Sequence, residues 1–296
     1  MWYGTKDYSR FITTPQTGAE VSPQAWASNG TLLNGQGYAL GSFGSHKEYS
    51  FAWANASARE NAQLMKSFFD GSFGRGKIYF QDPLTLNMNV LPARWADPSN
   101  TANYEGSQLV PGVNPTTVPS SGFEVNQLPV RSAVFNLNSV SANPPLTDDN
   151  ALFIPIPDGM QLNLGAFYST TLGTAGVKVT TATAGGAPTA TTVTLTPLAN
   201  STATSGFLPN VITKSPGVTG VYLWIGKSVA ANATVTVTAI HARLSPVGRL
   251  PTGPRTWVGG QGNAGVRFAG PPTYINNTGV NGGQVGYAAT FIESVL

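Results

Sequence analysis

The sequence has no cysteine and few charged residues, and these two shortages exclude several classes of site. Without cysteine, the chain of 296 residues forms neither disulfides nor thiolate metal sites. Only 10% of its residues are charged, compared with about 25% in an average soluble domain. The net charge of +3 comes from scattered lysines and arginines, so no cluster of cations indicates sequence-specific nucleic-acid binding.

Long apolar runs are also missing. No window approaches the roughly 18 uninterrupted apolar residues that predict a membrane-spanning helix, so we expect no membrane partner. The first residues, Met1 to Asp7, contain no basic region followed by an apolar core. We therefore expect no secretion signal, and synthesis and assembly in a cytoplasm.

Glycine (34 residues), proline (22 residues) and a hydrophobic content of 41% are typical of strands and turns rather than of disorder. Residues 1–100 are rich in aromatic and charged residues, whereas residues 101–245 are dominated by Thr, Ala, Val, Gly and Asn. Residues 246–296 carry few charges and many glycines and prolines. This division predicts a domain formed by residues 1–100 and 246–296, with residues 101–245 inserted into it.

One helix stands out in the first region. Ser57 and Glu60 form an S-x-x-E capping box, and Gly71 lies where a left-handed C-terminal cap is expected. One face of the helix is apolar and is predicted to pack on a sheet; it contains Leu64, Met65, Phe68 and Phe69. The strand formers of residues 77–80 follow and stop at Asp82-Pro83.

Period-two patterns predict a β-rich remainder. Residues 234–240 alternate cleanly, with valines facing inward and threonines outward. Short strands separated by turns favour a β-sandwich or jelly roll for the insert; they span residues 131–137, 151–156, 177–181, 191–196, 221–225 and 234–240. In the outer regions we expect strands at residues 36–40, 48–53, 266–268 and 287–292. Residues 100–119 are predicted to be a linker, and residues 182–190 and 197–206 exposed loops.

Two glycine motifs resemble nucleotide-binding loops, but the strands and helices predicted around them are not those that such loops require. Gly71, Gly76 and Lys77 match the start of a phosphate loop, but Ile78 stands where Ser or Thr would bind Mg²⁺, and the segment runs from helix to strand. Residues 260–265 match G-x-G-x-x-G, but no helix is predicted after them. A helix cap with a tight turn and a glycine-rich interface loop are the favoured interpretations.

The titratable residues do not form a recognisable reaction centre. His46 and His241 lie in different regions, and a metal site or triad would require the fold to bring them together. Asp148 and Asp149 could be a paired carboxylate or part of a Ca²⁺ site, although a solvated turn is favoured. We assign no catalytic, metal-binding or cofactor-binding residue, and expect the protein not to be an enzyme.

Four aromatic residues of the insert could line a sugar site. In residues 221–225, Tyr222 and Trp224 lie on the face opposite the aliphatic residues, which leaves an exposed aromatic face as an alternative to a core role. Phe167 and Tyr168 are the other two candidates.

Three segments carry a family resemblance. They are F-F-D-G-S-F-G-R-G-K-I-Y-F-Q-D-P at residues 68–83, N-V-L-P-A-R-W-A-D-P at 89–98, and R-T-W-V-G-G-Q-G-N-A-G-V-R-F-A-G-P-P at 255–272. They resemble distal tail proteins and other minor tail proteins of long-tailed, siphovirus-like bacteriophages that infect Gram-positive actinobacteria. The long insert departs from that pattern and resembles only a general carbohydrate-binding jelly roll.

The resemblance implies a structural protein of the virion, located at the phage tail tip. Its ring (belt) domain would be a β-sandwich with one helix, and copies would form a ring, expected to be a hexamer, between the tail-tube protein and the baseplate hub. The peripheral insert would serve host attachment by binding a cell-wall polysaccharide. A carbohydrate-binding receptor module, a depolymerising enzyme and a major tail-tube subunit are the alternatives.

Overall fold

The computed structural model of the chain describes residues 2–11, 20–31, 37–53, 58–74, 77–81, 88–99, 109–120, 128–198, 210–251, 257–260, 262, 265–277 and 284–293. Within these residues the strands form four sheets in which neighbouring strands are antiparallel, and two α-helices accompany them. The fold is therefore mainly β, as the composition and the period-two patterns predict.

Both ends of the chain contribute to the same sheet. Its strand order is β15–β17–β4–β3, with β16 also paired to β17. These strands are β3 (Glu20–Thr31), β4 (Gly37–Trp53), β15 (Val266–Phe268), β16 (Thr273–Asn277) and β17 (Gln284–Glu293). A smaller sheet has the order β2–β1–β5 and contains β1 (Trp2–Gly4), β2 (Ser9–Phe11) and β5 (Tyr79–Gln81). A bridge between Ile78 and Val266 connects the two sheets.

Helix α1 (Ala58–Phe69) lies where the sequence predicts it and packs on β17. Met65 and Phe68 are buried in an aromatic core, and Leu64 packs against that core. Phe69 is instead 41% exposed, so the predicted apolar face is buried over three of its four residues. The packing is apolar burial of the kind that stabilises most helices in proteins.

The helix ends in the predicted glycine cap. Gly71 has a φ of 79°, a conformation that a side chain disfavours. The Ser72 N–H donates to the Ser67 carbonyl at 2.9 Å, and the Gly71 N–H donates to the Phe68 carbonyl at 3.1 Å. This pair of bonds is a Schellman motif. The predicted capping box at the other end, Ser57 with the Glu60 side chain, lies outside the described residues.

A second, four-residue helix was not predicted. Helix α2 (Ala93–Ala96) follows Pro92, and it buries Trp95 and Ala96. A segment of four residues is too short to show a helical period, and Pro92 at the N-cap makes no side-chain capping hydrogen bond that could mark the start.

The middle of the chain forms two more sheets. One is four-stranded with the order β11–β10–β13–β8, and the other is five-stranded with the order β12–β9–β14–β7–β6. Their strands are β6 (Thr116–Pro119), β7 (Arg131–Asn136), β8 (Leu152–Pro155), β9 (Met160–Thr170), β10 (Ala175–Thr183), β11 (Pro188–Thr194), β12 (Asn210–Thr213), β13 (Val218–Lys227) and β14 (Thr234–Pro246). All six strands predicted for this region coincide with described strands.

One core cluster draws side chains from both middle sheets. Val235 and Val237 of β14 are buried in it together with Val221 and Leu223 of β13. Thr234 and Thr236, which alternate with these valines, are less buried, as predicted. Thr238 is instead buried and shares a hydrogen bond with the Ser132 hydroxyl at 2.8 Å, so the predicted alternation holds at two of the three threonines. Val90 and Trp95 belong to the same cluster, so the segment just before residue 100 packs with the middle strands. The exact three-part division of the chain stays a prediction.

Two predicted irregular segments are partly wrong. In residues 182–190, β10 continues to Thr183 and β11 begins at Pro188, with only a 3₁₀ turn between them. Cross-strand hydroxyl contacts such as Thr181 to Thr189, at 2.5 Å, hold the two strands together. In the predicted linker, Leu109 and Val110 are buried in the core and β6 follows. Residues 100–108 and 199–206 lie outside the described residues.

Buried Asn89 joins three segments that are distant in sequence. Its Nδ2 donates to the carbonyls of Ile240, at 2.9 Å, and of Val258, at 3.0 Å. Its Oδ1 accepts the N–H groups of Leu91, at 3.3 Å, and of Ala242, at 3.1 Å. The side-chain amide thereby continues the edge of β14 and satisfies four backbone groups that have little access to water.

We expect Asn89→Ala to lower the free energy of unfolding by about 2–4 kcal/mol, because several buried backbone groups lose their partners at once. Chemical denaturation of the purified chain measures this. The matched control is Asn136→Ala, which removes one hydrogen bond to the Asn138 N–H at an exposed position. An equal loss of stability in both variants would contradict the role given to Asn89.

Candidate functional site

The first candidate surface is a two-stranded ribbon. β17 pairs with β4 only from Trp53 to Glu48, whereas β3 pairs with β4 over its full length, down to the Thr31–Gly37 pair. The Lys47 N–H donates to the Glu293 carboxylate at 3.1 Å where the pairing to β17 ends. We call residues 21–31 and 37–47 the arm; no other described strand pairs with either of its strands.

Among the strands that the structure describes, none covers the outer edges of the arm. By strand geometry the arm continues roughly 30 Å along its length beyond the β4–β17 pairing. A two-stranded ribbon of this kind is marginally stable by itself in water, and strand edges are surfaces for association. The arm is therefore a candidate site of protein–protein contact.

The second candidate surface is a cleft at the end of helix α1, with a volume of ≈ 320 Å³. We call it the aromatic cleft; it is lined by Phe68, Phe69, Asp70, Gly71, Gly74, Ile78, Arg267 and Phe268. The Phe69 ring meets the Phe268 ring edge to face at a centroid distance of 5.2 Å, and Phe268 packs in turn on Phe291 at 4.8 Å.

The two charged residues of the aromatic cleft differ in whether they form an ion pair. Asp70 is paired with Lys66 on the last turn of α1. Exposed Arg267 of β15 forms no ion pair with any described residue. The cleft therefore combines an aromatic lining with one available guanidinium group, and a large apolar side chain fits such a surface.

The four aromatic residues predicted to bind sugar are all buried, and they fall in three separate clusters. Tyr222 and Trp224 share one cluster, whereas Phe167 lies in a second and Tyr168 in the main core. The alternation was right, since Tyr222 and Trp224 do face away from the aliphatic residues of β13. The expectation of an exposed aromatic face on these residues was wrong.

Neighbouring groups cover the two rings of β13. Trp224 lies over Gly226, where an added Cβ would approach the ring to 2.3 Å, and its Nε1 donates to the Thr180 hydroxyl at 3.0 Å. The Tyr222 hydroxyl donates to the Gly186 carbonyl at 2.9 Å. It also accepts a hydrogen bond from the Lys6 ammonium at 2.9 Å.

Lys6 links the start of the chain to the middle strands. Its Nζ lies 2.5 Å from the Asp148 carboxylate and 5.4 Å from the centre of the Phe153 ring. Burial lowers the pKa of Lys6, but the hydrogen bonds to Asp148 and Tyr222 outweigh this effect and raise it. By sequence, Asp148 could be half of a paired carboxylate with Asp149. In the structure Asp148 forms an ion pair with Lys6. No local sequence signal identifies Lys6 as this partner.

The two histidines occupy unrelated places. His46 belongs to the arm and is opposite Gln24 in the register, while its side chain lies outside the described residues. His241 is fully buried in β14, and its Nε2 accepts a hydrogen bond from the Arg243 Nε at 2.9 Å. Burial, assisted by the Arg243 charge, lowers the pKa of His241 to about 3, so the imidazole is neutral at neutral pH.

The two glycine motifs have different structural roles. In the first, Gly71 is the helix cap described above, while Gly76 is outside the described residues. In the second motif, the Gly262 N–H donates to the Leu91 carbonyl at 3.0 Å. A Cβ on Gly262 would lie 1.7 Å from the Val90 carbonyl oxygen. The loop is therefore packed against residues 89–92 of the same chain.

No protein-family model, curated protein or solved structure matches this chain. Within the described residues, no three His, Asp or Glu side chains gather into a group that could hold a metal ion. In the same part of the chain, neither helix is long and apolar enough to span a membrane.

We expect Gly262→Ala to lower the free energy of unfolding by more than about 2 kcal/mol, because the added methyl group overlaps a backbone carbonyl that cannot move away cheaply. Gly259→Ala is the matched control, since an added Cβ there meets nothing within 4 Å. Thermal unfolding of both variants measures the difference. Equal melting temperatures would show that the two segments are not packed as described.

The buried histidine predicts a pH dependence. Between pH 6.5 and about 3 the unfolded chain binds a proton at His241 and the folded chain does not, so stability falls as the pH falls. From pH 7.5 to 5 this group removes about 2 kcal/mol from the free energy of unfolding. His241→Gln should lose less stability over the same interval in denaturant titrations. Parallel pH profiles for the two proteins would contradict this assignment.

Proposed function

We propose that this chain is a structural protein of a bacteriophage tail tip that assembles with copies of itself into a ring. The observation that carries the proposal is the arm, a long ribbon whose outer edges pair with no other described strand and which is attached to a well-packed aromatic core. Such a ribbon gains stability when a second protein covers it. We place the protein in a virion because residues 68–83, 89–98 and 255–272 resemble tail proteins.

We infer a finer architecture on the same basis. The strands at both ends of the chain and helix α1 would form the ring domain as a β-sandwich. The two middle sheets, which share one core cluster, would form an inserted sandwich of the jelly-roll type. The ring would close by main-chain pairing and apolar burial between copies, with six copies as the expected number.

The partners follow from this position. The tail-tube protein and the baseplate hub would contact opposite faces of the ring, and DNA would pass through the lumen without sequence-specific contacts. A glycan-binding role for the insert receives no support from Tyr222, Trp224, Phe167 or Tyr168, because none of these rings is accessible. A wall polysaccharide would therefore have to bind elsewhere on the insert.

We expect the purified chain to sediment as an oligomer at micromolar concentration. A variant in which residues 22–46 are replaced by a short turn should sediment as a monomer, because the main contact surface is lost. Sedimentation velocity and native mass spectrometry measure both proteins. The melting temperature of the shortened variant serves as the control for folding. A stable wild-type monomer would overturn the proposal.

A further inference from the structure

We propose that the arm of one copy docks into the aromatic cleft of a neighbouring copy. The proposal rests on the self-assembly proposed above and names the two surfaces that meet. A contact between two different patches is heterologous, and repeating it around an axis generates a closed ring when the rotation closes.

The aromatic cleft has the chemistry of an acceptor. Phe69 is 41% exposed although it continues the apolar face of α1, so the helix carries an apolar side chain that its own core does not cover. The cleft volume of ≈ 320 Å³ lies at the lower end of the roughly 300–1,000 Å³ typical of pockets that enclose a ligand. One or two large side chains of a partner would fill it.

The arm has the chemistry of a donor. From Val21 to His46 the sequence contains no Asp, Glu, Lys or Arg, in contrast to the charges that natural proteins place on exposed strands. The same interval contains Trp26, Tyr38 and Phe43. Aromatic residues are enriched and charged residues depleted at the centres of protein interfaces.

Arg267 and Pro23 favour docking of this kind. The guanidinium group of Arg267 is available at the edge of the cleft, and an arginine attracts an aromatic ring placed against it. Pro23 lies in β3 near the base of the arm, and a proline weakens strand addition locally because it has no N–H. Contact through side chains is the mode of docking that we propose.

The length of the arm favours docking between copies over docking within one copy. β3 and β4 are paired from Glu20–Ser50 to Thr31–Gly37, with a register shift between Ala25 and Ala27. Tyr38 is separated from Glu48, where β4 leaves β17, by a path of roughly 30 Å along the ribbon. Arg267 pairs with Ile292, beside that base of the arm.

The absence of cysteine allows a direct test by disulfide trapping. Phe69→Cys is prepared in one copy, and Trp26→Cys, Tyr38→Cys or Phe43→Cys in a second copy with a different tag. The pairs are co-expressed and oxidised. We expect at least one arm position to trap with Phe69→Cys about tenfold more than with Leu250→Cys, since an interface holds a few side chains in close contact. Leu250 is 85% exposed and lies outside both surfaces.

Association is measured in parallel with Phe69→Ser and Arg267→Glu, and with Leu250→Ser as the control. We expect the two cleft variants to weaken self-association by about tenfold or more and the control to leave it unchanged. If the wild type forms oligomers but no arm position is trapped with Phe69→Cys, and the cleft variants associate like the wild type, the docking proposal is overturned. The proposed ring is then left intact. Trapping of Tyr38→Cys only with itself overturns it in favour of arm–arm contact. A monomeric wild type overturns both proposals.

Discussion

The pairing of β17 with β4 is the constraint on which the rest of the structure depends. Helix α1 packs on β17, and β15 and β16 pair with its other edge. The aromatic cleft exists because β15 brings Arg267 and Phe268 next to the end of α1. The arm begins where this pairing stops, beside Glu293. Both candidate surfaces are therefore consequences of one strand pair that joins distant parts of the chain.

A second set of contacts fixes the middle sheets to this unit. Asn89 bonds to β14 and to Val258, and Gly262 lies against the same segment. On the opposite side, Lys6 reaches Asp148 and Tyr222. These contacts are polar and largely shielded from water, so they specify position as well as adding stability. Tyr222, one of the aromatic residues considered for a sugar site, bonds to Lys6 in this junction.

The sequence predicted those features that depend on local patterns. Helix α1, its glycine cap and β14 each follow from a period or a turn residue within a short window. The long strand β9 was missed although Leu162, Leu164 and Ala166 alternate inward, because polar Gln161 and Asn163 are buried on its other face. Their partners Ser245 and Arg249 come from far along the chain, and no single window contains them.

The site was harder to predict than the fold for the same reason. Whether Tyr222 is exposed depends on Lys6, and whether Phe69 forms a cleft depends on Phe268. Alternation assigns a residue to one face of a strand correctly, but it does not state what covers that face. The arm is recognised because no other described strand pairs with its outer edges, and a local sequence pattern does not reveal which strands will pair.

The β4–β17 pair also sets the order in which the protein can form. Ser50 and Thr290, which meet across it, are 240 positions apart, so β17 leaves the ribosome long after β4 and the arm. Contacts of such long range slow folding, and the arm stays uncovered while the middle sheets are made. Newly made chains therefore pass through a period of exposure to aggregation, and slow translation or chaperone binding would act on this step before any partner copy does.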